Sequence, residues 1–241
     1  MQIIIVEDKE QVAEKAYQIV KEVIQTKQNP VLCLATGSTP TNLYKKMIEA
    51  NQKNELSFKD VLTYNLDEYV GLEATHPQSY AYFMRENLFD HIDIDKKNTF
   101  LPNGNAVDLQ IECKRYDDLI RGMAADVQIL GIGSNGHIAF NEPGSSFDST
   151  THVIELSKRT REDNARFFEN EEDVPTHAIT MGIASILVAK KIIIMANSFY
   201  KATAIQQMIE GPVDINCPAS VLQNHPNVVV IIDKEAASKL G

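Results

Sequence analysis

The chain has 241 residues, of which 44% are hydrophobic, and a formal net charge of −10. This length and apolar content fit one large α/β domain or two small ones and argue against a disordered chain. The acidic balance argues against a nucleic-acid partner, which needs a basic face, and it requires any phosphate site to be a local group of Arg or Lys side chains and backbone N–H groups.

Apolar runs typical of buried strands alternate with amphipathic segments along the whole chain. The first strand is predicted at Gln2–Val6, and Asp8 with Gln11 predicts the start of a helix that ends at Asn29-Pro30. Later strands are predicted at residues 31–35, 61–65, Val127–Leu130, Ile192–Ala196 and 228–232. This alternation predicts an α/β fold in one domain, residues 1–241, with a doubly wound, mostly parallel sheet and helices on both faces, as in Rossmann-like proteins.

The helices between these strands are predicted from capping residues and apolar spacing. They are expected to begin at Pro40, at Ser79, at residue 107, at Asn197 and, for a short last helix, at Asp233. Residues 93–105 contain the turn sequence Pro102-Asn103-Gly104-Asn105 and are predicted to be a loop.

The second strand is followed by Thr36-Gly37-Ser38-Thr39-Pro40, a glycine turn that opens a helix. The free N–H groups and positive dipole end of such a helix suit an anion. It is not a Walker A loop, because no Gly-Lys-Ser/Thr follows. From this stretch alone, a phosphate site and an ordinary strand-to-helix turn are equally compatible with the sequence.

Two adjacent carboxylates, Asp67 and Glu68, follow the third strand, where the carboxyl edge of a parallel sheet binds ligands. Adjacent side chains need not point the same way, so a catalytic pair and a turn with a solvated face both remain open at this point.

A glycine-rich loop, Gly131 to Gly144, follows the strand Val127–Leu130 and contains Asn135, His137 and Glu142. An imidazole beside a carboxylate is typical of general acid–base chemistry. The Gly131-x-Gly133-x-x-Gly136 spacing matches a dinucleotide fingerprint, but Pro143-Gly144 leaves no room for the helix that this fingerprint requires. The glycines are better explained by close approach of the backbone to a small ligand.

Basic residues that could bind an anion occur as one cluster of arginines and as a single lysine. An extended run at residues 151–156 leads into a polar helix near Ser157 that carries Arg159, Arg161 and Arg166, and Lys201 lies in the first turn of a later helix. A lysine there opposes the helix dipole unless an anion binds beside it. The alternative is a solvated helix face for the arginines and an exposed lysine.

The cysteines Cys33, Cys113 and Cys217 are widely spaced and form no C-x-x-C motif, which indicates reduced thiols. The first apolar run is too short for a signal peptide, and no stretch approaches the ~20 apolar residues of a membrane span. These features predict a cytoplasmic protein with no membrane partner.

Four motifs together resemble the glucosamine-6-phosphate deaminase family, over nearly the whole chain. They are Ala35-Thr36-Gly37-Ser38-Thr39-Pro40, Asn65-Leu66-Asp67-Glu68-Tyr69-Val70-Gly71-Leu72, His76-Pro77-Gln78-Ser79-Tyr80 and Gly133-Ser134-Asn135-Gly136-His137-Ile138-Ala139-Phe140-Asn141-Glu142-Pro143. The resemblance implies conversion of glucosamine 6-phosphate and water to fructose 6-phosphate and ammonia, with no metal and no organic cofactor.

The resemblance also assigns roles. It implies that His137 opens the sugar ring, that Glu142 and Asn135 orient and tune His137, and that Asp67 removes the C2 proton. It places the phosphate on Thr36, Gly37, Ser38 and Thr39, with Arg166 and Lys201 as basic ligands. It further implies a lid at approximately residues 151–181 of a single catalytic domain.

Two departures from the family pattern carry expectations. Some members have Asp where this chain has Asn135, so we expect a pH profile different from theirs. The long, hexameric members have a basic cluster near the start of the lid through which N-acetylglucosamine 6-phosphate activates them, whereas residues 151–155 contain no Arg or Lys here. We therefore expect no such activation, and a monomer or small homo-oligomer.

Two rival interpretations remain. A 6-phosphogluconolactonase shares the fold and a Gly-His loop but has no need of Glu142 or of the string around Asp67. A non-catalytic sugar-phosphate sensor would leave His137, Glu142 and Asp67 without a purpose, and the sequence contains no helix-turn-helix segment for DNA binding.

Overall fold

The computed structural model describes residues 1–156, 161, 168, 170 and 173–241. The strands within these residues are β1 Gln2–Val6, β2 Val31–Leu34, β3 Leu62–Asn65, β4 Asp67–Tyr69, β5 Thr99–Phe100, β6 Val127–Leu130, β7 His152–Glu155, β8 His177–Thr180, β9 Ile192–Ala196 and β10 Val228–Asp233. The α-helices that lie within the same residues are α1 Lys9–Thr26, α2 Thr41–Gln52, α3 Tyr80–Asn87, α4 Leu109–Gly122, α5 Ile183–Ile186 and α6 Ala202–Glu210, and short 3₁₀ helices form at Phe89–His91, Lys96–Asn98, Phe199–Lys201 and Pro218–Asn224.

Seven parallel strands form the central sheet, in the order β1-β10-β9-β6-β2-β3-β5. Every residue of β2, β6, β9 and β10 is buried, as expected for strands covered on both faces. These continuous apolar runs explain why the sequence predicts them well. The predicted doubly wound, mostly parallel α/β fold is confirmed.

The predicted helix starts at Asp8 and Ser79 are confirmed by their capping hydrogen bonds. The Asp8 carboxylate accepts the Gln11 N–H at 2.9 Å, and the Ser79 hydroxyl accepts the Tyr82 N–H at 3.0 Å. Each side chain pairs a backbone N–H group that the helix itself leaves unpaired.

A second sheet, antiparallel and in the order β4-β8-β7, was not predicted. In its register Asp67 pairs with Thr180, and the Met181 N–H donates to the Leu66 carbonyl at 2.8 Å where the two sheets adjoin. This small sheet fixes Asp67 at the carboxyl edge of the large one.

Three predictions are wrong. Residues 93–105 contain the edge strand β5 as well as loop. The helix predicted to start at Asn197 begins only at Ala202, after a 3₁₀ turn over Phe199–Lys201. The segment after Asp233 forms separate turns, such as the Ser238 N–H to Glu235 carbonyl bond of 3.2 Å, and no helix. Its few residues do not compensate the cost of helix nucleation.

The order of the central strands creates a crevice between β2 and β6. From β2 the chain continues outward through β3 to β5, whereas β6 is followed on its other side by β9 and β10. The loops after β2 and β6 therefore leave in opposite directions, which is where open α/β sheets bind ligands. No helix in the described part of the chain is long and apolar enough to cross a bilayer.

Candidate active site

A cleft of about 310 Å³ opens at this crevice. It is bounded by the loops that follow four neighbouring strands of the central sheet, β9, β6, β2 and β3. Its lining includes the polar groups of Thr36, Thr39, Asp67, Tyr80, Ser134, His137 and Lys201. The cleft thus combines a carboxylate, an imidazole, a cation and hydroxyl groups in one small volume.

Asp67 is the buried acid of the cleft, with 6% of its surface exposed. In the described residues its carboxylate has no hydrogen-bond donor and no cationic partner, so nothing offsets the loss of hydration. Burial, and secondarily the charge of Glu68, raises the pKa of Asp67 to about 8. A carboxyl with such a pKa is a stronger base than a solvated one and titrates near neutral pH.

Glu68 has a different task from its neighbour. Its two carboxylate oxygens accept the N–H groups of Tyr69 at 2.8 Å, Tyr80 at 2.9 Å and Ala81 at 2.8 Å. Two of these N–H groups belong to the first turn of α3. Burial raises the pKa of Glu68, while the three backbone donors act to lower it. Glu68 therefore anchors a helix start, and the cleft receives only Asp67.

The imidazole of His137 lies directly on the backbone of Gly133. A Cβ atom added to Gly133 would overlap the Cε1, Nδ1 and Nε2 atoms of the ring. The Gly133 N–H donates to the His137 carbonyl at 2.9 Å, which closes the loop. Glycine at 133 is therefore required by the position of the imidazole.

Asn135, His137 and Glu142 form one cluster. The Asn135 amide donates to Glu142 Oε2 at 2.7 Å, and Asn135 Oδ1 accepts the His137 N–H at 3.2 Å. Glu142 Oε1 lies 3.5 Å from His137 Nδ1. The side chain of Asn135 thus holds the Glu142 carboxylate beside the His137 imidazole. The three residues are neighbours, as their place in one loop of the sequence predicted.

The loop that carries this cluster is tied to the small sheet. The buried amide of Asn141 donates to the Ile138 carbonyl at 3.0 Å and to the Met181 carbonyl at 2.8 Å. The Phe140 N–H donates to Thr180 Oγ1 at 3.2 Å. Because Thr180 also pairs with Asp67, one strand end fixes Asp67 relative to the loop that carries His137.

The other end of the cleft suits an anion. Gly37 has φ +84°, a conformation that favours glycine, and α2 begins at Thr41 with no side chain capping its first N–H groups. Lys201 faces the same space and has no carboxylate partner among the described residues. Burial lowers the pKa of Lys201. Free N–H groups, a helix dipole and an unpaired cation together favour a phosphate.

Comparison with known proteins identifies the relatives of this chain. The sequence profile described as glucosamine-6-phosphate isomerases/6-phosphogluconolactonase matches residues 7–231. The chain belongs to this family. It is 51% identical over 238 residues to a glucosamine-6-phosphate deaminase from Bacillus cereus strain B4264, covering 99% of this chain and 88% of the relative.

Solved structures of the glucosamine-6-phosphate isomerase/6-phosphogluconolactonase family agree with the fold. A monomeric glucosamine-6-phosphate deaminase superposes with a TM-score of 0.96 at 44% identity, covering 99% of each chain. A 6-phosphogluconolactonase from Trypanosoma cruzi superposes with a TM-score of 0.76 at 19% identity, covering 99% of this chain and 96% of its own, and shows the fold alone.

The predicted site residues of this family member are distributed as follows. Thr36, Gly37, Thr39, Asp67, His137 and Lys201 line the cleft. Asn135 and Glu142 contact His137 but do not line the cleft. Ser38 lines an adjacent, more apolar pocket. Arg166 lies outside the described residues, as do Arg159 and most of the predicted polar helix.

Tyr80 and Ser134 also line the cleft, although the sequence analysis gave them no role there. Tyr80 is the first residue of α3. Its hydroxyl interacts with the side chains of Thr36 and Tyr69, and burial raises its pKa well above the ordinary value. Its position in the motif His76-Pro77-Gln78-Ser79-Tyr80 was the available signal.

Proposed function

We propose that this chain is a glucosamine-6-phosphate deaminase, which converts glucosamine 6-phosphate and water to fructose 6-phosphate and ammonia. The observation that carries the proposal is the buried carboxylate of Asp67, which has no hydrogen-bond donor among the described residues and lies in the same cleft as His137. The names of relatives that are half identical over almost the whole chain support the same reaction.

The first step is opening of the pyranose ring. His137 accepts the proton of the C1 hydroxyl and delivers a proton to the ring oxygen as the C1–O5 bond breaks, so the aldehyde forms without net proton change. Glu142, 3.5 Å from Nδ1, stabilises the charged imidazole between the two transfers. Asn135 keeps Glu142 in place through its 2.7 Å hydrogen bond.

The second step moves the carbonyl from C1 to C2. Asp67 removes the C2 proton, the bonding pair forms a C1–C2 double bond, and the C1 oxygen takes a proton. Return of the proton held by Asp67 to C1, with loss of one N–H proton that balances the proton taken up by the C1 oxygen, leaves an imine at C2. Water adds to C2, and ammonia departs as the C2 carbonyl forms. A base is most effective when its pKa lies near the working pH, which fits the raised value of Asp67, about 8.

The substrate phosphate binds at the opposite end of the cleft. Gly37, Ser38 and Thr39 lie in the turn that precedes α2 and offer backbone N–H groups, and Lys201 supplies the cation. Arg166 is proposed as a second basic ligand, carried by a lid at approximately residues 151–181 of a single catalytic domain. The residues that bind the phosphate are therefore different from His137 and Asp67, which transfer protons at C1 and C2.

The reaction is tested by measuring ammonia and fructose 6-phosphate released from glucosamine 6-phosphate by the wild type and by Asp67→Asn. We expect equal amounts of both products from the wild type and a loss of about 10²- to 10⁴-fold in the variant. A folded wild type that releases neither product but hydrolyses 6-phosphogluconolactone would replace the deaminase by the lactonase assignment.

Assembly and regulation are proposed from the same relatives. One deaminase of this fold is described as monomeric, and residues 151–155 contain no Arg or Lys. We infer a cytoplasmic monomer or small homo-oligomer with hyperbolic kinetics and no activation by N-acetylglucosamine 6-phosphate. Sedimentation and initial-rate measurements with that compound test both statements.

A further inference from the structure

Ser198 has a backbone conformation that serine rarely adopts. Its φ of +80° and ψ of 151° fall in a region populated almost only by glycine. Ser198 comes two residues after β9 and three residues before Lys201. Strain of this kind persists only where the surrounding structure imposes it.

The group that holds Ser198 is the carboxylate of Asp233. Asp233 is the last residue of β10, the neighbour of β9 in the sheet, and has 7% of its surface exposed. The Ser198 N–H donates to both carboxylate oxygens, at 3.1 Å to Oδ1 and 3.0 Å to Oδ2. Oδ1 also accepts the Ala236 N–H at 2.8 Å.

Ser198 and Lys201 are the two ends of one hydrogen-bonded turn. The Lys201 N–H donates to the Ser198 carbonyl at 3.1 Å and closes the 3₁₀ turn that leads into α6. A helical φ at Ser198 would let α6 begin earlier and would turn this segment away from its present course. Lys201 lines the same cleft as Gly37 and Thr39 and has no acidic partner in the described residues.

We propose that Asp233 is a positioning residue for phosphate binding: it clamps the strained backbone of Ser198 and thereby directs Lys201 into the cleft. The proposal rests on the proposed function of Lys201 as a phosphate ligand. Asp233 itself does not line the cleft.

The alternative is that Asp233 only stabilises the turn at Ala236. The two roles differ in what glycine does at position 198. If Asp233 acts by imposing the strained conformation, Ser198→Gly removes the need for it, because glycine adopts positive φ without strain. If Asp233 acts only through Ala236, glycine at 198 changes nothing.

The experiment compares Asp233→Ala, Ser198→Gly and the double variant by calorimetric titration with inorganic phosphate and by KM and kcat for glucosamine 6-phosphate. We expect Asp233→Ala to weaken phosphate binding and raise KM by about tenfold, with kcat less affected, because uniform binding is lost. We expect Ser198→Gly alone to behave like the wild type and the double variant to recover most of the loss.

Two further variants keep the test decisive. Asp93→Ala is the matched control, because the Asp93 carboxylate also accepts a backbone N–H, that of Phe58 at 2.7 Å, but lies outside the cleft. It should lower stability without changing phosphate affinity. Should Asp233→Ala not fold, Ser198→Val offers a second test. It leaves Asp233 intact but increases the backbone strain at position 198, because a β-branched residue disfavours positive φ, and it is expected to raise KM.

Unchanged phosphate affinity in Asp233→Ala, or a double variant no better than Asp233→Ala, would overturn the inference. Because the calorimetry needs no turnover, a wild type that binds phosphate but releases no ammonia would reject the deaminase assignment while still testing Asp233. The converse result is a wild type that releases ammonia, with Asp233 and Ser198 variants that bind phosphate as tightly as the wild type does. That result rejects only the positioning role.

Discussion

Asp67 and Glu68 are adjacent in the chain, yet their carboxylates lie in opposite surroundings: Asp67 faces the cleft without a hydrogen-bond donor in the described residues, whereas Glu68 accepts three backbone N–H groups. Both belong to β4, where successive side chains point to opposite faces. The strand therefore separates a reactive acid from a structural one, and the two can be tested separately.

Asp67→Asn should stabilise the fold while it lowers activity by about 10²- to 10⁴-fold, as expected for loss of a general base. The pKa of Asp67 is raised from 3.8 to about 8, so between these values the folded state holds a proton that the unfolded state has lost. Stability therefore falls as pH rises through this range, and the neutral amide avoids the loss. We expect the difference in unfolding free energy between variant and wild type to grow from pH 5 to pH 8.

The same ionisation should shape the rate. Asp67 acts as a base only when deprotonated, so kcat/KM of the wild type should rise with pH and level off above about 8. Urea titrations at several pH values, with the pH–rate profile beside them, check both statements. A stability difference that does not change with pH would contradict the raised pKa.

Glu68→Gln should lower the free energy of unfolding. It should also move the acid limb of the pH–rate profile, the range in which kcat/KM rises with pH, to lower pH. Glutamine keeps one oxygen for Tyr69 and Tyr80 but turns an NH₂ group toward the Ala81 N–H, a loss of about 1–3 kcal/mol for a buried pair. Removing the Glu68 charge lowers the pKa of Asp67, since that charge acts to raise it.

Asp108→Asn is the control for Glu68→Gln. Asp108 accepts the Gln110 N–H at 2.9 Å and the Ile111 N–H at 3.0 Å at the start of α4, outside the cleft. Its substitution should weaken a helix cap without moving the acid limb. An equal shift in both variants would mean that the limb reports stability and not the pKa of Asp67.

The central sheet is predictable from the sequence because β9 and β10 are buried on both faces, and residues 192–196 and 228–232 are unbroken apolar runs. The strand β4 is not, since its residues, Asp67 to Tyr69, are mostly polar and are buried through contacts distant in the chain, such as that of Glu68 with α3. The strain at Ser198 likewise has no local signal, because Asp233 imposes it from another strand.

The candidate site was predicted better as a set of residues than as an arrangement. The glycines and Asn135, His137 and Glu142 share one loop, so their proximity follows from the sequence. That Gly133 is needed for the imidazole and not directly for a ligand becomes visible only in three dimensions. The residues alone also left open whether Asp67 or Glu68 faces the cleft, because the path of β4 depends on its pairing with β8, and only the family resemblance assigned the role to Asp67.

Gly133→Ala should reduce kcat by tenfold or more, about 1.4 kcal/mol, by displacing the imidazole of His137. The added methyl would occupy the space of the ring, so His137 must rotate or the loop must shift. Gly122→Ala is the matched control, because nothing lies within 4 Å of a Cβ at that position in α4. Steady-state kinetics of the two variants, with equal melting temperatures confirmed first, separate a catalytic effect from a general cost of removing glycine.

Asn135→Asp should change the pH–rate profile of the enzyme. The Asn135 amide now donates to Glu142 Oε2 at 2.7 Å, and aspartate in its place would put two carboxylates at that separation. Like charges so close favour retention of a proton, so the cluster of residues 135, 137 and 142 should hold a proton to higher pH than in the wild type. The limb of the kcat profile that belongs to this cluster should move upward by about one unit.

Asn135→Ala separates charge from geometry in the same cluster. It removes both the hydrogen bond to Glu142 and the acceptor for the His137 N–H without adding charge, so kcat should fall while the profile keeps its position. Rate profiles of the three proteins at saturating glucosamine 6-phosphate provide the comparison. If Asn135→Asp and Asn135→Ala give the same profile, the amide of Asn135 serves only to hold the loop, and the identity of the group beside Glu142 does not set the pH dependence.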